Sequence, residues 1–84
     1  MKVTSNSGIC RISDERSLWR VAVETWPERD GYHGRLVFTQ DRVPTIADRR
    51  EGPDKFRGST REDVVREAYS LPEAHLRELF RSLA

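Results

Sequence analysis

Eighty-four residues are enough for one folded domain and leave no room for a second hydrophobic core. The 15 basic and 14 acidic side chains give a net charge of +1, which excludes a strong overall field directed at nucleic acid or anionic lipid. The single cysteine, Cys10, excludes a disulfide within the chain, and with two histidines beside it there is no cluster typical of a zinc site. We therefore expect one small domain, residues 1–84, with no metal and no cofactor.

The sequence contains no apolar run of the length found in signal peptides, and none of the roughly 18 residues that would span a membrane. We expect a cytoplasmic protein with no membrane partner. Residues 1–8 are mostly small and polar, which predicts a flexible end. A short edge strand is expected next, at residues 9–12.

The clearest strand signal covers residues 18–25, where apolar and polar side chains alternate. The apolar positions define a core face: Trp19, Val21 and Val23. Since proline cannot donate to a strand ladder, we expect regular pairing to stop near Pro27. The Asp-Gly pair at residues 30–31 then predicts a turn, and residues 32–40 predict a second strand paired antiparallel with the first.

The sequence patterns that indicate secondary structure are weaker after this hairpin. Residues 41–44 have the composition of a turn, and residues 45–50 predict a third strand with little apolar content. Residues 55–58 are expected to form a short extended segment that leads into the helices.

Two helices are predicted at the C-terminus. The first covers residues 60–69, and Glu62 and Arg66 are spaced for an ion pair on its solvent-facing side. Its capping box has two possible pairs: Ser59 with Glu62, or Thr60 with Asp63. The second helix has Pro72 at its start and runs to about residue 83. Its apolar side chains are spaced for a single stripe: Leu76, Leu79, Phe80 and Leu83.

Together these elements predict an α+β domain, an antiparallel β-meander of two to four strands followed by two C-terminal helices packed on one sheet face. The stripe of the second helix is expected to close the core over the tryptophan side of the hairpin. Few other large apolar side chains are available for that purpose in so short a chain.

The sheet face turned away from the helices is expected to carry charged and apolar side chains together, with a tryptophan at its rim. Such a face is ordinary for solvent, but a large aromatic beside it is also a sign of an interface. We hypothesise a non-catalytic protein-binding or self-associating module. The residues expected to bind the partner are Trp26, Arg20, Arg35 and Val37.

The segment around residues 49–61 supports an alternative hypothesis, weak binding of nucleic acid or another anion. Its cations are Arg49, Arg50, Lys55, Arg57 and Arg61, with Phe56 among them for stacking on a base. The glycine and serine before the first helix would also suit a phosphate, although Glu62 and Asp63 in the first turn favour simple capping. A solvated loop with local ion pairs is the competing interpretation.

Catalysis has little support in the sequence. His33 beside Asp30 is the minimum for acid–base chemistry, yet no nucleophile accompanies the pair at a known spacing. His75 and Cys10 lack neighbours that would mark them as reactive. We therefore expect a protein that is not an enzyme.

Overall fold

A computed structural model of the protein describes residues 4–14, 17–40 and 49–83. The predicted turn at 41–44 and the first part of the predicted strand at 45–50 lie outside the described residues. Within them, neither helix has the length or apolar character needed to cross a membrane.

Five strands and two helices follow one another along the described ranges. The strands are β1 (Ser5–Asp14), β2 (Ser17–Glu28), β3 (Gly31–Gln40), β4 (Arg49–Glu51) and β5 (Phe56–Gly58), and the helices are α1 (Arg61–Tyr69) and α2 (Glu73–Ser82). Strands β1, β2 and β3 form an antiparallel meander, and β4 and β5 pair with opposite ends of β3. The predicted α+β fold is confirmed.

Strand β2 runs one residue past Pro27, near which we expected it to stop. Trp26 lies opposite His33 in β3, and Pro27 lies opposite Tyr32. Among the described residues, pairing between β1 and β2 ends at Thr25, so β2 has one neighbour at this point. The predicted stop was wrong because proline, which has no backbone N–H, is tolerated where one side of the strand makes no hydrogen bonds to a neighbouring strand.

Strand β1 begins at Ser5, four residues before the expected edge strand. Gly8 pairs with Ala22 and Cys10 pairs with Val21, which leaves Ile9 as the extra residue of a β-bulge. The flexibility predicted for residues 1–8 stays a prediction, and residues 1–3 lie outside the described ranges.

The turn between β2 and β3 requires glycine. Gly31 has φ 130°, a left-handed conformation that side chains with a Cβ rarely adopt. A Cβ at this position would also lie 2.5 Å from the Gly58 carbonyl oxygen of β5. The close approach of these two glycines brings β5 alongside the start of β3.

The core lies between one sheet face and the two helices, as predicted. Trp19, Val21 and Val23 are buried on that face. Phe80 of α2 lies across it, with its ring centroid 4.9 Å from Trp19 and 5.3 Å from Phe38. Helix α2 therefore closes the core over the tryptophan side of the hairpin.

Helix α1 begins at one of the two predicted capping pairs. The Thr60 hydroxyl accepts a hydrogen bond from the Asp63 backbone N–H at 3.2 Å. The ion pair of Arg66 is made with Asp63 at 3.2 Å, three residues away, in place of the predicted pair with Glu62. Both spacings place side chains on the same helix surface.

Candidate functional site on the open sheet face

The sheet face turned away from α1 and α2 is called the open face here. Strand pairing places side chains of β2 and β3 directly opposite one another across it: Arg20 with Thr39, Ala22 with Val37, Glu24 with Arg35, and Trp26 with His33. Strand β4 adds Arg49 and Glu51, and β5 adds Arg57. All four residues predicted to bind a partner, Trp26, Arg20, Arg35 and Val37, therefore share this face.

Four charged side chains at the centre of the open face form a closed ring, which we call the Glu24 network. Glu24 accepts hydrogen bonds from Arg35 Nε at 2.8 Å and from Arg49 Nη2 at 3.1 Å. Glu51 completes the ring, since its carboxylate lies 2.7 Å from Arg49 Nε and 3.5 Å from Arg35 Nη1. Two carboxylates and two guanidinium groups leave this network without net charge.

Burial and charge explain why the network holds together. Glu24 is 8% exposed, and a carboxylate at that depth needs charged hydrogen-bond donors to offset the loss of water. The guanidinium of Arg49, followed by that of Arg35, holds the pKa of Glu51 below its ordinary value. The network therefore fixes Arg35 and Arg49 in place.

Apolar side chains lie beside this network. Val37 is 3% exposed, although it lies outside the core cluster, and it sits between Ala22 and Glu51 on the neighbouring strands. Trp26 is half-buried, and its indole N–H donates to Glu28 at 2.8 Å. The Arg35 guanidinium carbon lies 5.7 Å from the centroid of the Trp26 ring, within range of a cation–π interaction.

A shallow groove of about 380 Å³ runs beside Trp26. It is open to solvent, so its shape suits a side chain of another protein better than an enclosed small molecule. Its lining residues are Thr4, Glu24, Trp26, Glu28, Arg35 and Asp54.

His33, at the hairpin end of the open face, lies between two carboxylates. Its Nδ1 is 2.9 Å from Asp54 and its Nε2 is 2.9 Å from Asp30. The hydrogen bond to Asp54, and then the one to Asp30, raise the pKa of His33 above its ordinary value, and His33 lowers the pKa of Asp30. Both ring nitrogens are engaged, so this arrangement suits a structural bridge better than a general base, which needs a free nitrogen.

Sequence reasoning noted Asp30 beside His33 but missed Asp54. Asp54 is 21 residues away along the chain and reaches His33 because the segment before β5 folds back along β3. Local spacing carries no signal for such a contact.

The five cations of the alternative anion site do not converge. Arg49 belongs to the Glu24 network, and Arg57 lies 3.8 Å from Asp54 on the open face. Lys55 donates to His75 at 3.1 Å, and Arg61 donates to Ser7 at 2.8 Å.

Arg50 lies on the opposite side of the sheet from Arg49. Its guanidinium carbon is 4.2 Å from the centroid of the Phe80 ring and 4.8 Å from that of Trp19. This side chain covers the rim of the core and is stacked on aromatic rings, which leaves it poorly placed to meet a phosphate together with Arg49.

Two further points of the sequence analysis concern Cys10 and metal binding. Burial, followed by the nearby charge of Glu73, raises the pKa of the Cys10 thiol, which disfavours the reactive thiolate. Within the described ranges no three His, Cys, Asp or Glu side chains are arranged to hold a metal ion.

The structure is therefore an α+β domain in which the helices cover one face of the sheet and leave the open face uncovered by them. Comparison of the chain with protein-family models, curated proteins and solved structures gave no match.

Proposed function

We propose that this chain is a small non-catalytic module that binds a protein partner, or a second copy of itself, through the open face of its sheet. The observation that carries the proposal is the half-buried Trp26 with the Arg35 guanidinium carbon 5.7 Å from the centroid of its ring. Tryptophan and arginine are enriched among the residues that dominate protein–protein binding energies.

The Glu24 network supports the proposal in a second way. Arg35 and Arg49 are held by Glu24 and Glu51 before any partner arrives. Side chains that are already ordered lose less conformational entropy when an interface forms. A pre-ordered network with no net charge is therefore suited to the polar part of an interface.

The groove beside Trp26 supplies the remaining element of a docking surface. A projecting side chain of the partner would enter it and contact the indole, while the partner's backbone would lie over Val37 and the network. An aromatic side chain beside polar groups is a common feature of protein interfaces.

The nucleic-acid alternative has less support. The affinity for nucleic acid is highest when several cationic side chains on one surface neutralise phosphates together and so release the counterions of the nucleic acid. Here Arg49 and Arg50 lie on opposite sides of the sheet, and Arg61 is engaged with Ser7 in β1. Heparin chromatography and an NMR titration with short duplex DNA and single-stranded RNA would revive this alternative if the amides of residues 49–61 moved.

The proposal is tested with wild-type protein and with Trp26→Ala and Arg35→Ala. Light scattering over a concentration series detects self-association, and affinity capture from the native host detects a partner. We expect wild type to associate or to retain a specific protein, and each variant to weaken that binding at least tenfold, about 1.4 kcal/mol.

Two substitutions on the helical side serve as controls. Tyr69→Ala removes an exposed aromatic of α1, and Arg66→Ala removes an exposed arginine of the same helix. Both are expected to bind as wild type does. A strict monomer that captures nothing, or open-face variants that bind as well as wild type while remaining folded, would overturn the proposal.

A further inference from the structure

His33 joins two parts of the chain that lie far apart in sequence. Asp30 belongs to the turn between β2 and β3, and Asp54 belongs to the segment between β4 and β5. Each carboxylate lies 2.9 Å from a different nitrogen of the same imidazole. The His33 side chain is 12% exposed, whereas the side chains of Asp30 and Asp54 are 66% and 38% exposed.

The chemistry of imidazole makes this arrangement depend on a proton. A neutral histidine has one N–H donor and one lone pair, whereas an ionised carboxylate can only accept. Neutral His33 can therefore bond to one of the two carboxylates, and its lone pair faces the other. The imidazolium form donates to both at once.

The surrounding charges favour the imidazolium form. Among the described residues, Asp30 faces His33 from the turn and Asp54 faces it from the segment before β5. Arg57 of β5 lies opposite His33 in register. Its guanidinium is 3.8 Å from Asp54 and the side chain is 64% exposed, so its positive charge disfavours protonation of His33 only weakly. Trp26 of β2 is uncharged, with its ring centroid 6.2 Å from that of His33.

Two other charged groups near this end of the sheet, Arg35 and Glu28, contact other side chains. Arg35, the next charged side chain of β3, points its guanidinium at Glu24 and over Trp26. Glu28 of β2 accepts from the Trp26 indole. The two aspartates are therefore the charges in direct contact with the imidazole, and they raise the pKa of His33 against the opposing effect of desolvation.

We propose that His33 is a pH-operated latch, which when protonated fastens both the β2–β3 turn and the segment before β5 to the end of the sheet. Loss of the proton releases one of the two carboxylates. Asp54 also lines the groove beside Trp26, so release of Asp54 changes the wall of that groove. The latch is a property of this fold and does not require the proposed binding function.

The direction of the pH effect follows from the raised pKa of His33. Its contribution to stability is complete below the ordinary histidine pKa of about 6.5 and is lost as pH rises through the raised pKa of the folded protein. The latch is therefore closed in mildly acidic solution and opens towards alkaline pH.

The test is an NMR titration of the full chain between about pH 5 and pH 9, reading the ring nitrogens of both histidines and all backbone amides. His75, whose Nε2 accepts from Lys55, is the internal comparison. We expect His33 to titrate above pH 6.5, with the amides of residues 29–31 and 53–55 shifting at the same midpoint. Agreement of these midpoints would show that both segments respond to one proton.

Two variants separate the latch from a general charge effect. Asp54→Asn and Asp30→Asn each remove one carboxylate from an exposed or partly exposed position, and we expect both to lower the His33 midpoint, Asp54→Asn by more. Glu62→Gln on α1 is the matched control and should leave the midpoint unchanged. A His33 midpoint at or below 6.5, or amides in the two segments that do not follow it, would overturn the proposal.

Discussion

Glu24 of β2 and Arg35 of β3 lie directly opposite each other across the open face, and the Arg35 guanidinium reaches the Glu24 carboxylate with two nitrogens, at 2.8 and 2.6 Å. Both nitrogens contact the same oxygen, Glu24 Oε1, and hydrogen bonds between ionised groups are stronger than those between neutral groups. Since Arg49 joins the same carboxylate from β4, this one glutamate ties three strands together.

Replacement of Glu24 by Gln tests the role of the network in stability. The change removes the more buried of the two carboxylates that Arg35 and Arg49 share, and we expect a loss of about 1–3 kcal/mol in the free energy of unfolding, measured by urea denaturation. Arg66→Ala, which breaks the exposed pair with Asp63, is the control and should cost less than about 0.5 kcal/mol. Equal effects of the two substitutions would show that the network adds nothing beyond an ordinary surface pair.

Replacement of Phe80 by Ala tests the closure of the core by α2. The ring packs against Trp19 and Phe38 and carries the Arg50 guanidinium, so its removal leaves a cavity at the centre of the helix–sheet contact. We expect a cost of about 3–5 kcal/mol, a large part of the stability of so small a domain, with loss of the near-UV circular dichroism signal of Trp19. A near-neutral effect would mean that α2 does not cover this face.

Two glycines form a matched pair for a test of backbone geometry. In Gly31→Ala the new side chain would have to adopt a positive φ and would clash with the Gly58 carbonyl oxygen. We expect this substitution to lower the free energy of unfolding by about 1–3 kcal/mol. Gly8→Ala meets nothing within 4 Å of its new Cβ and should change the free energy of unfolding by less than about 0.5 kcal/mol. Thermal melts of both variants give the comparison, and the same shift in both would contradict the geometry of the turn.

The Cys10 thiol is expected to react slowly although it is exposed. Partial loss of water around the sulfur and the charge of Glu73 both raise its pKa, so the thiolate fraction at neutral pH is smaller than that of a free cysteine. Alkylation by iodoacetamide should therefore be slower in the folded protein than in urea, and Glu73→Gln should speed it. A folded-state rate equal to that in urea would contradict this environment.

Part of the fold was predictable because it rests on local periodicity. Alternation in β2 identified Trp19, Val21 and Val23 as core residues, and the spacing of Leu76 and Phe80 identified the buried side of α2. Each signal lies within one element, where side-chain direction follows directly from the backbone repeat.

The remaining features depend on register between distant segments. Pro27 is tolerated because β1 stops pairing with β2 at Thr25, and Asp54 reaches His33 because β5 lies beside β3. The same limit applies to the cations of residues 49–61. Arg49 and Arg50 point to opposite faces because adjacent residues of a strand alternate in direction. The sequence alone does not show that residues 49–51 form a strand.

The measurement that tests the proposed binding face most directly is amide mapping by NMR, first on a dilution series and then on addition of any protein that wild type captures. We expect the shifts to concentrate at the Trp26 indole and at the amides of Arg35 and Val37, with α1 and α2 unchanged. Shifts confined to the two helices, or no shift in either experiment, would contradict the assignment of the open face as the binding surface.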